Sequence, residues 1–466
     1  MLVSASLWES GPVRRTSQPA RVDRASANDL TMLATDHGSV PMNIGVVMML
    51  DDASALDFEQ FTSLLTDRVP AVPRLRQRLV RVPVGSGRPV WVDDGGFRLS
   101  QHLHHSQLDG SATQQDALAI AAEMVCQRLD RTAPLWTASL VTGLPDDQAA
   151  IILVLHHVVA DGLGGLALLG SLVDNNTPPD VRPFPVPPPD GRTLAADAWR
   201  ERLDDLRQVP RRLRTAMDGL HELGFTRWSK PAERVSLNQP TGARRRLTTV
   251  DIDLAEVVAA AHRDGCTVND LVLAAVSGCL IETLRRRGEH PDSLVVSVPI
   301  AARRSASPEQ MGNDVGVVPV SIPTAPSRRA RLSAISAEIR ARSHDNRGSS
   351  AGPLGLLFRS LGHLGLAQSF VDHQRFVHTF ETNMRGPHTP LTFAGRTIAS
   401  LMSVAVNPGN VGVSFDVLSY AGRLVVTVVA DPAILPEQDD LTRILVDEFA
   451  ALILDGDQPE HLPHGE

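Results

Sequence analysis

The sequence has few cysteines and almost no lysine. Its 466 residues include three cysteines, Cys126, Cys266 and Cys279. Their spacing fits neither a disulfide framework nor a zinc site, so we expect a reducing compartment. Lys230 is the single lysine, and arginine supplies nearly all of the positive charge. This bias is typical of a GC-rich genome and indicates no function by itself.

Long apolar runs and an excess of positive charge are also missing. No apolar stretch approaches the ~20 residues that cross a bilayer, and the N-terminal segment lacks the apolar core of a signal peptide. The formal net charge is −8 at pH 7, which gives no electrostatic reason to expect a nucleic-acid partner. We expect a cytoplasmic protein, and peripheral attachment to the inner membrane face or to lipid droplets stays open.

The most informative stretch runs from Ile151 to Gly162 and reads IILVLHHVVADG. An unbroken run of apolar residues that ends at a turn predicts a strand buried on both faces. His156 and His157 therefore lie at the end of that strand, where an imidazole can accept a proton near neutral pH. Asp161 follows in a turn that the adjacent glycines permit. The pattern predicts general-base chemistry at this point of the chain.

A second copy of the pattern HHxxxDG occurs at residues 104–110, with His104 and His105 as its histidines. The preceding segment, Phe97 to Leu103, alternates in polarity and predicts a half-exposed strand. A polar run, SATQQD, follows this second copy. Only the copy at 156–162 leaves a continuous apolar strand and enters a glycine-rich apolar segment. We therefore assign the chemistry to that copy.

Further motifs lie before and after the histidine segment along the chain. They are Pro134-Leu135-Trp136, Val268-Asn269-Asp270, Met311-Gly312-Asn313, the segment TNMRGP with Asn383, Gly386 and Pro387, and VLSYAGRL at 417–424. Together with HHVVADG, these segments resemble the bacterial wax ester synthase/diacylglycerol acyltransferase family over about residues 30 to 455. The larger superfamily includes chloramphenicol acetyltransferase-like enzymes and peptide-synthetase condensation domains.

The resemblance implies an α/β (α+β) fold with two chloramphenicol acetyltransferase-like lobes. Each lobe would be a mixed sheet flanked by helices, with an active-site tunnel between the lobes. The predicted organisation is a flexible lead at 1–28, an N-terminal lobe at 29–176, a proline-rich linker with amphipathic helices at 177–241, and a C-terminal lobe at 242–466. Local patterns also predict a strand at Asn43 to Leu50 and an apolar helix at Leu354 to Phe370.

The resemblance further implies an O-acyltransferase. A long-chain fatty acyl group would move from acyl-CoA to the hydroxyl of diacylglycerol, of a long-chain fatty alcohol, or of both. His157 would be the general base, His156 would brace the loop, and no acyl-enzyme would form. Protonated His157 or Asn269 would meet the oxyanion. Acyl-CoA would be a co-substrate, and neither a cofactor nor a metal is expected.

The other motif residues are expected to support the site. The resemblance implies that Asp161 pairs with an arginine from the other lobe, and Arg303 is the candidate. Trp136 is typical of core packing, and Asp270 of a helix cap that begins at Thr267. Supporting roles are also expected for Gly162, Pro134, Leu135, Asn313, Asn383, Gly386 and Pro387. The residues that bind CoA are not assigned; its phosphates would need arginine or backbone amides.

Two other functions remain open. One is a condensation or acyltransferase enzyme of the same fold with a carrier-protein donor, and the other is a non-catalytic protein of lipid surfaces. The basic amphipathic segment 194–223 suits either an anionic membrane surface or packing on the first lobe. A covalent hydrolase is disfavoured because no serine lies in a G-x-S-x-G context. A zinc site is disfavoured because the histidines lack the helical i, i+4 spacing.

Overall fold

The computed structural model describes residues 22–174, 183–204, 231–301, 315–325, 327–343, 361, 364–406 and 409–454. The helices are α1 (Ala27–Thr35), α2 (Phe58–Arg68), α3 (Gln114–Cys126), α4 (Gly162–Leu172), α5 (191–204), α6 (Leu254–Arg263), α7 (Val268–Arg286), α8 (Arg328–Ser343), α9 (Ala367–Asp372) and α10 (Gln438–Leu454). The strands are β1 (Asn43–Leu50), β2 (Gln77–Val80), β3 (Val90–Asp93), β4 (Leu103–Gln107), β5 (Trp136–Thr142), β6 (Ala149–His156), β7 (Arg246–Asp253), β8 (Ser293–Ala301), β9 (Val315–Pro323), β10 (Thr379–Arg385), β11 (Thr392–Phe393), β12 (Arg396–Ala405), β13 (Val413–Tyr420) and β14 (Arg423–Ala430).

Two six-stranded sheets form the framework. The first has the order β11-β12-β1-β6-β5-β4, and the second has the order β7-β14-β13-β10-β8-β9. In the first sheet only β4 and β5 pair in parallel, whereas in the second sheet β10 is parallel to both β13 and β8. Both sheets are therefore mixed and carry helices, which confirms the predicted fold class.

Strand β6 delivers the histidines to the site. Its eight residues, AAIILVLH, are all buried, and the strand pairs with β1 on one side and β5 on the other. The two faces of the first sheet pack against separate apolar clusters, one with α4 and one with α3. A continuous apolar sequence is required for a strand covered on both faces, and the chain leaves this environment only at His156.

The segment predicted as the C-terminal lobe contributes two strands to the first sheet. Strand β12 pairs antiparallel with β1, with Ile44 opposite Ala405 and Met48 opposite Leu401. Strand β11 then forms the edge of the sheet beyond β12. The second sheet packs close by, because Leu247, Val425 and Val429 join the same apolar cluster as α3. The two halves of the chain are thus connected by strand pairing within the first sheet and by an apolar cluster that both sheets share.

Two predicted elements were wrong in detail. The half-exposed strand expected at 97–103 is instead a 3₁₀ turn at Leu99–Gln101, and the strand β4 begins at Leu103. The apolar helix expected at 354–370 is not continuous, because Gly365 adopts φ +68° and α9 begins only at Ala367. Most of the remainder of that prediction lies outside the described residues. A glycine with positive φ ends a helix readily.

The N-terminal lead and the linker are described in part. From residue 22 onward the lead is held in place, since Arg24 donates a hydrogen bond of 2.7 Å to Asp197. Residues 191–204 are helical, and Leu194 packs with Val90 and Val92 of β3. The predicted amphipathic segment beyond 204 falls outside the described residues up to 230. Within the described part, this helix therefore packs on the first lobe.

Among the described helices, none alone has the length and apolar composition to cross a bilayer. The pair α6 and α7 meets that test only when taken together, across a bend of 98°. Helix α7 contributes thirteen buried residues to the core of the second lobe, which accounts for its apolar composition.

Candidate active site

His156 is fixed through both of its ring nitrogens. Its Nδ1 atom accepts the backbone N–H of Val158 at 3.0 Å, and its Nε2 atom lies 3.2 Å from Oδ2 of Asp36. A nitrogen that accepts an N–H carries no proton itself, so the neutral ring bears its proton on Nε2 and donates it to Asp36. The side chain is 2% exposed. These contacts give His156 a bracing function.

Asp36 contacts His156 and was not predicted from the sequence as a site residue. Its carboxylate is 3% exposed and accepts the backbone N–H of Met42 at 2.9 Å as well as the His156 proton. Arg131 forms an ion pair with it, and Arg128 lies 3.6 Å away. Burial raises the pKa of Asp36, but the interaction with His156 and the hydrogen bonds from Met42 and Arg131 outweigh burial and lower it to about 2. The residue is thus an anion at neutral pH.

His157 is the first residue beyond β6. Its backbone N–H donates to the carbonyl of Met42 at 2.7 Å, and its side chain is half-buried. The loop that carries Met42 also contacts the second half of the chain, since Ser39 donates through its hydroxyl to the carbonyl of Thr241 at 2.7 Å. His157 therefore lies beside the junction of the two halves.

Asp161 and Gly162 start the helix that follows the histidines. Asp161 is the N-cap of α4 and accepts the N–H of Gly164 at 2.8 Å. Its side chain is 1% exposed. The predicted partner of Asp161, Arg303, lies outside the described residues, as does Asn313. A capping aspartate satisfies exposed helix amides and suits the positive end of the helix dipole.

Gly162 is in close contact with strand β10 of the second sheet. A Cβ atom added to Gly162 would lie 2.4 Å from Sδ of Met384. Met384 belongs to the segment TNMRGP, so the contact joins two of the motifs that the sequence placed far apart. A side chain at this position would have to displace Met384, so the close approach of the two halves favours glycine.

Gly162→Ala should therefore destabilise the protein by about 1–3 kcal/mol, because the new methyl group meets the thioether. The double variant Gly162→Ala with Met384→Ala should recover part of the loss. Thermal denaturation of these two variants and of Met384→Ala alone measures both effects. Gly165→Ala in the same helix is the control, since the nearest atom to its added Cβ is 4.0 Å away. Equal losses for Gly162→Ala and Gly165→Ala would contradict the close approach.

The turn after β10 is braced by the hairpin of β13 and β14. The N–H of Gly386 donates to the carbonyl of Ser419 at 2.8 Å, and the carbonyl of Pro387 accepts the N–H of Ala421. Tyr420 is 2% exposed; its hydroxyl donates to the carbonyl of Ile398 and accepts the N–H of Leu391. Asn383 pairs with Val417 within the sheet. The segment SYAGR thus has a structural role here.

A groove lined mainly by apolar residues lies beside α4. It has a volume of about 380 Å³ and lies between α4 and the loop after β10. Leu166, Leu169 and Val173 form one wall, and Pro387 and Leu391 form the other. Both walls belong to segments next to motif residues, since α4 begins at Gly162 and Pro387 is part of TNMRGP.

Asn269 and Asp270 lie in the first turn of α7. Thr267 and Asp270 form a reciprocal capping box, and the hydroxyl of Ser336 donates to Asp270 at 3.0 Å. These contacts account for Asp270. Asn269 is half-buried, and within the described ranges no hydrogen bond joins it to the histidine loop. The oxyanion role of Asn269 therefore stays a prediction.

The motif Pro134-Leu135-Trp136 supports β6 from the neighbouring strand. The N–H of His156 donates to the carbonyl of Leu135 at 3.0 Å. Trp136 donates through its indole N–H to Leu75 at 2.8 Å and stacks on His102 with ring centroids 4.7 Å apart. Pro134 and Trp136 are buried. These contacts give the motif a packing role at one remove from the histidine pair.

The second HHxxxDG copy lies on the surface. His104 and His105 are exposed on β4, the edge strand of the first sheet. His105 contacts the hydroxyl of Thr142 at 2.9 Å and stacks on Phe58. The two copies share a pattern but differ in burial and neighbours, so the structure places only the copy at 156–162 beside the junction.

Two buried acids, Glu381 and Asp416, occupy the neighbouring strands β10 and β13. Glu381 is fully buried, and neither of its carboxylate oxygens has a hydrogen-bond partner among the described residues. Burial, with the nearby charge of Asp416, raises the pKa of Glu381 to about 8. Burial also raises the pKa of Asp416 to about 7, against hydrogen bonds from Thr382 and Ala405 that lower it. Glu381 therefore carries a proton at neutral pH.

Comparison with known proteins agrees with these motifs. A family model for the wax ester synthase/diacylglycerol acyltransferase catalytic domain matches residues 25–272, and a model for the C-terminal domain of that family matches residues 311–453. A Mycobacterium tuberculosis H37Rv protein named as a probable diacylglycerol O-acyltransferase is 29% identical over 434 residues, which is 89% of this chain and 92% of that protein.

Solved structures show the same fold. The wax ester synthase/diacylglycerol acyltransferase from Marinobacter aquaeolei VT8 is similar with a TM-score of 0.68 and 21% identity, over 93% of this chain and 99% of that chain. The starter condensation domain of rhizomide synthetase, solved with C8-CoA and Leu-SNAC, gives a TM-score of 0.62 and 18% identity over 94% of this chain and 95% of that chain.

Proposed function

Because the chain belongs to the wax ester synthase/diacylglycerol acyltransferase family and is an acyltransferase, we propose that it transfers a long-chain fatty acyl group from acyl-CoA to a lipid hydroxyl. The acceptor is diacylglycerol, a long-chain fatty alcohol, or both. The curated relative named as a probable diacylglycerol O-acyltransferase supports the first acceptor. The family name includes the second.

The observation that carries the proposal is the engagement of His156. A general base must present a ring nitrogen to the hydroxyl whose proton it removes. His156 uses one nitrogen for Val158 and the other for Asp36, so the base role in this pair is assigned to His157. Its position beside the junction of the halves suits two substrates that approach from different directions.

The proposed reaction is a direct transfer. His157 takes the proton of the acceptor hydroxyl while the oxygen attacks the thioester carbonyl, and a tetrahedral oxyanion forms. The C–S bond then breaks, the ester is released, and the proton passes to the CoA thiolate. The protonated ring of His157 or the amide of Asn269 would stabilise the oxyanion.

The apolar groove beside α4 provides a place for the acyl chain. Its walls are formed mainly by leucine, valine and proline, and they belong to α4 and to the loop after β10. Burial of a methylene group in such a surrounding contributes about 0.8 kcal/mol. A long chain therefore gains enough from the groove to favour acyl-CoA over short thioesters.

The assay combines the purified protein with palmitoyl-CoA and either dioleoylglycerol or hexadecanol. Release of free thiol together with formation of the matching ester supports the proposal, and the ratio of the two esters gives the acceptor preference. Thiol release without ester would indicate a thioesterase. Absence of both products with either acceptor, by a protein that is folded by circular dichroism, would contradict the proposal.

A further inference from the structure

The carboxylate of Asp36 connects groups that are distant in the sequence. It accepts the backbone N–H of Met42 at 2.9 Å and the Nε2 proton of His156 at 3.2 Å, and it forms an ion pair with Arg131. Asp36 lies just beyond α1, whereas His156 ends β6. No motif of the histidine segment includes Asp36.

Two of the partners of Asp36, His156 and Met42, are directly connected to His157. His156 is its neighbour in the chain, and Met42 accepts the backbone N–H of His157 at 2.7 Å. One carboxylate therefore holds the ring that precedes His157 and the peptide segment that receives its N–H. We propose that Asp36 is a positioning residue for acyl transfer, which sets the orientation of His157 through His156 and Met42. This inference rests on the proposed base role of His157.

The electrostatics fit a fixed anion. Asp36 is 3% exposed, and the two arginines near it are about half exposed, at 47% and 51% for their side chains. The pKa of Asp36 lies near 2, mainly because the hydrogen bonds and charge at the carboxylate outweigh its burial. A group that stays ionised across the working pH range holds its donors without a titration of its own.

Fixed geometry is what a general base requires. A displacement of about 1 Å in a catalytic group can lower the rate by ~10²-fold, since the proton must be removed along a short hydrogen bond. A purely structural residue would lower the amount of folded protein instead. The two roles therefore differ in kcat measured per folded molecule.

Asp36→Asn is the informative variant. The amide keeps one acceptor oxygen but turns an NH₂ group toward Met42 N–H, His156 Nε2–H or Arg131, all of which are donors. We expect kcat for ester formation to fall by about 10- to 100-fold, with KM for palmitoyl-CoA changed by less than about threefold. A kcat within about twofold of the wild-type value would overturn the proposal.

Glu448→Gln is the matched control for loss of a buried ion pair. Glu448 of α10 is 7% exposed and pairs with Arg331 and Arg328 of α8, in the helical layer of the second lobe. It should lower the thermal midpoint at least as much as Asp36→Asn does, with kcat per folded molecule unchanged. An equal fall of kcat in both variants would mean that Asp36 acts only through stability, and the proposal would be wrong.

A double-mutant cycle tests the route through His156. If Asp36 acts through that ring, Asp36→Asn combined with His156→Gln should lose little more rate than His156→Gln alone. If the rate loss of the double variant equals the product of the two single losses, Asp36 does not act through His156. Ester formation by His157→Ala is measured in parallel. Substantial activity of this variant would reject the base assignment of His157. If the cycle is still non-additive, the coupling of Asp36 to His156 is retained. An inactive His157→Ala beside a fully active Asp36→Asn would reject the positioning role alone.

Discussion

His157→Ala should lower the rate of ester formation by about 10²- to 10⁴-fold, the usual contribution of a positioned proton transfer. The substituted residue keeps its backbone hydrogen bond to Met42, because the donor is the main-chain N–H. The fold and the binding of palmitoyl-CoA should therefore be preserved. The rate is measured with palmitoyl-CoA and dioleoylglycerol or hexadecanol, and folding is followed by thermal denaturation.

His104→Ala is the matched control for this experiment. It changes a histidine of the same sequence pattern, but one that is exposed on the edge strand β4. Its rate should equal that of the unaltered protein. If His157→Ala keeps more than roughly a tenth of the activity, a typical base contribution is excluded, and another group must take the hydroxyl proton.

Glu381→Gln should change the pH dependence of stability more than a neutral substitution of any other acid in the part of the chain that the structure describes. The folded pKa of Glu381 is about 8, against an ordinary value of 4.5. The folded protein therefore keeps a proton that the unfolded chain has already lost. The contribution of neutral Glu381 to the free energy of unfolding is complete below pH ~4.5 and is lost as the pH rises through about 8.

The variant lacks this titration, so its stability relative to the wild type should rise between pH 5 and pH 8.5. The expected change is on the order of 4 kcal/mol, since about three pH units lie between pH 5 and the folded pKa and each corresponds to about 1.4 kcal/mol. Denaturant unfolding at a series of pH values measures it. Unfolding curves of the two proteins that shift in parallel with pH would contradict the assignment.

Glu282→Gln provides the opposite case. Hydrogen bonds and charges from Arg285 and Arg286 lower the pKa of Glu282 to about 2. Its contribution is therefore complete above pH ~4.5 and is lost only toward acid pH. Between pH 5 and pH 8.5, this variant should keep a constant difference from the wild type, which separates the effect of a buried neutral acid from that of any lost carboxylate.

The sequence predicted those parts of the fold that depend on local patterns. Strand β1 was predicted from Asn43 to Leu50 and has these bounds in the structure. An apolar run such as that of β6 specifies burial on both faces by composition alone. The family and its fold were predicted from six short segments in order, and the comparisons confirm both.

The parts that were missed depend on contacts between distant residues. Asp36 has no sequence signal, because its significance comes from His156, which lies 120 positions away. The contact of Gly162 with Met384 arises only when the two halves meet, and the buried pair of Glu381 and Asp416 arises only when β10 pairs with β13. The strand misplaced at 97–103 was an error of register, since a polar alternating pattern fits either side of a short turn.

The pairing of β12 with β1 has a consequence for how the protein is made. The two strands are separated by roughly 350 residues, and a ribosome adds about 5–20 residues per second. Strand β1 therefore emerges roughly 20 to 70 s before its partner is synthesised, with one row of amides and carbonyls unsatisfied. Such an exposed edge is a template for pairing with other chains. Nascent chains that stall before residue 396 should thus depend on chaperones, and fragments cut before that point should precipitate when expressed alone.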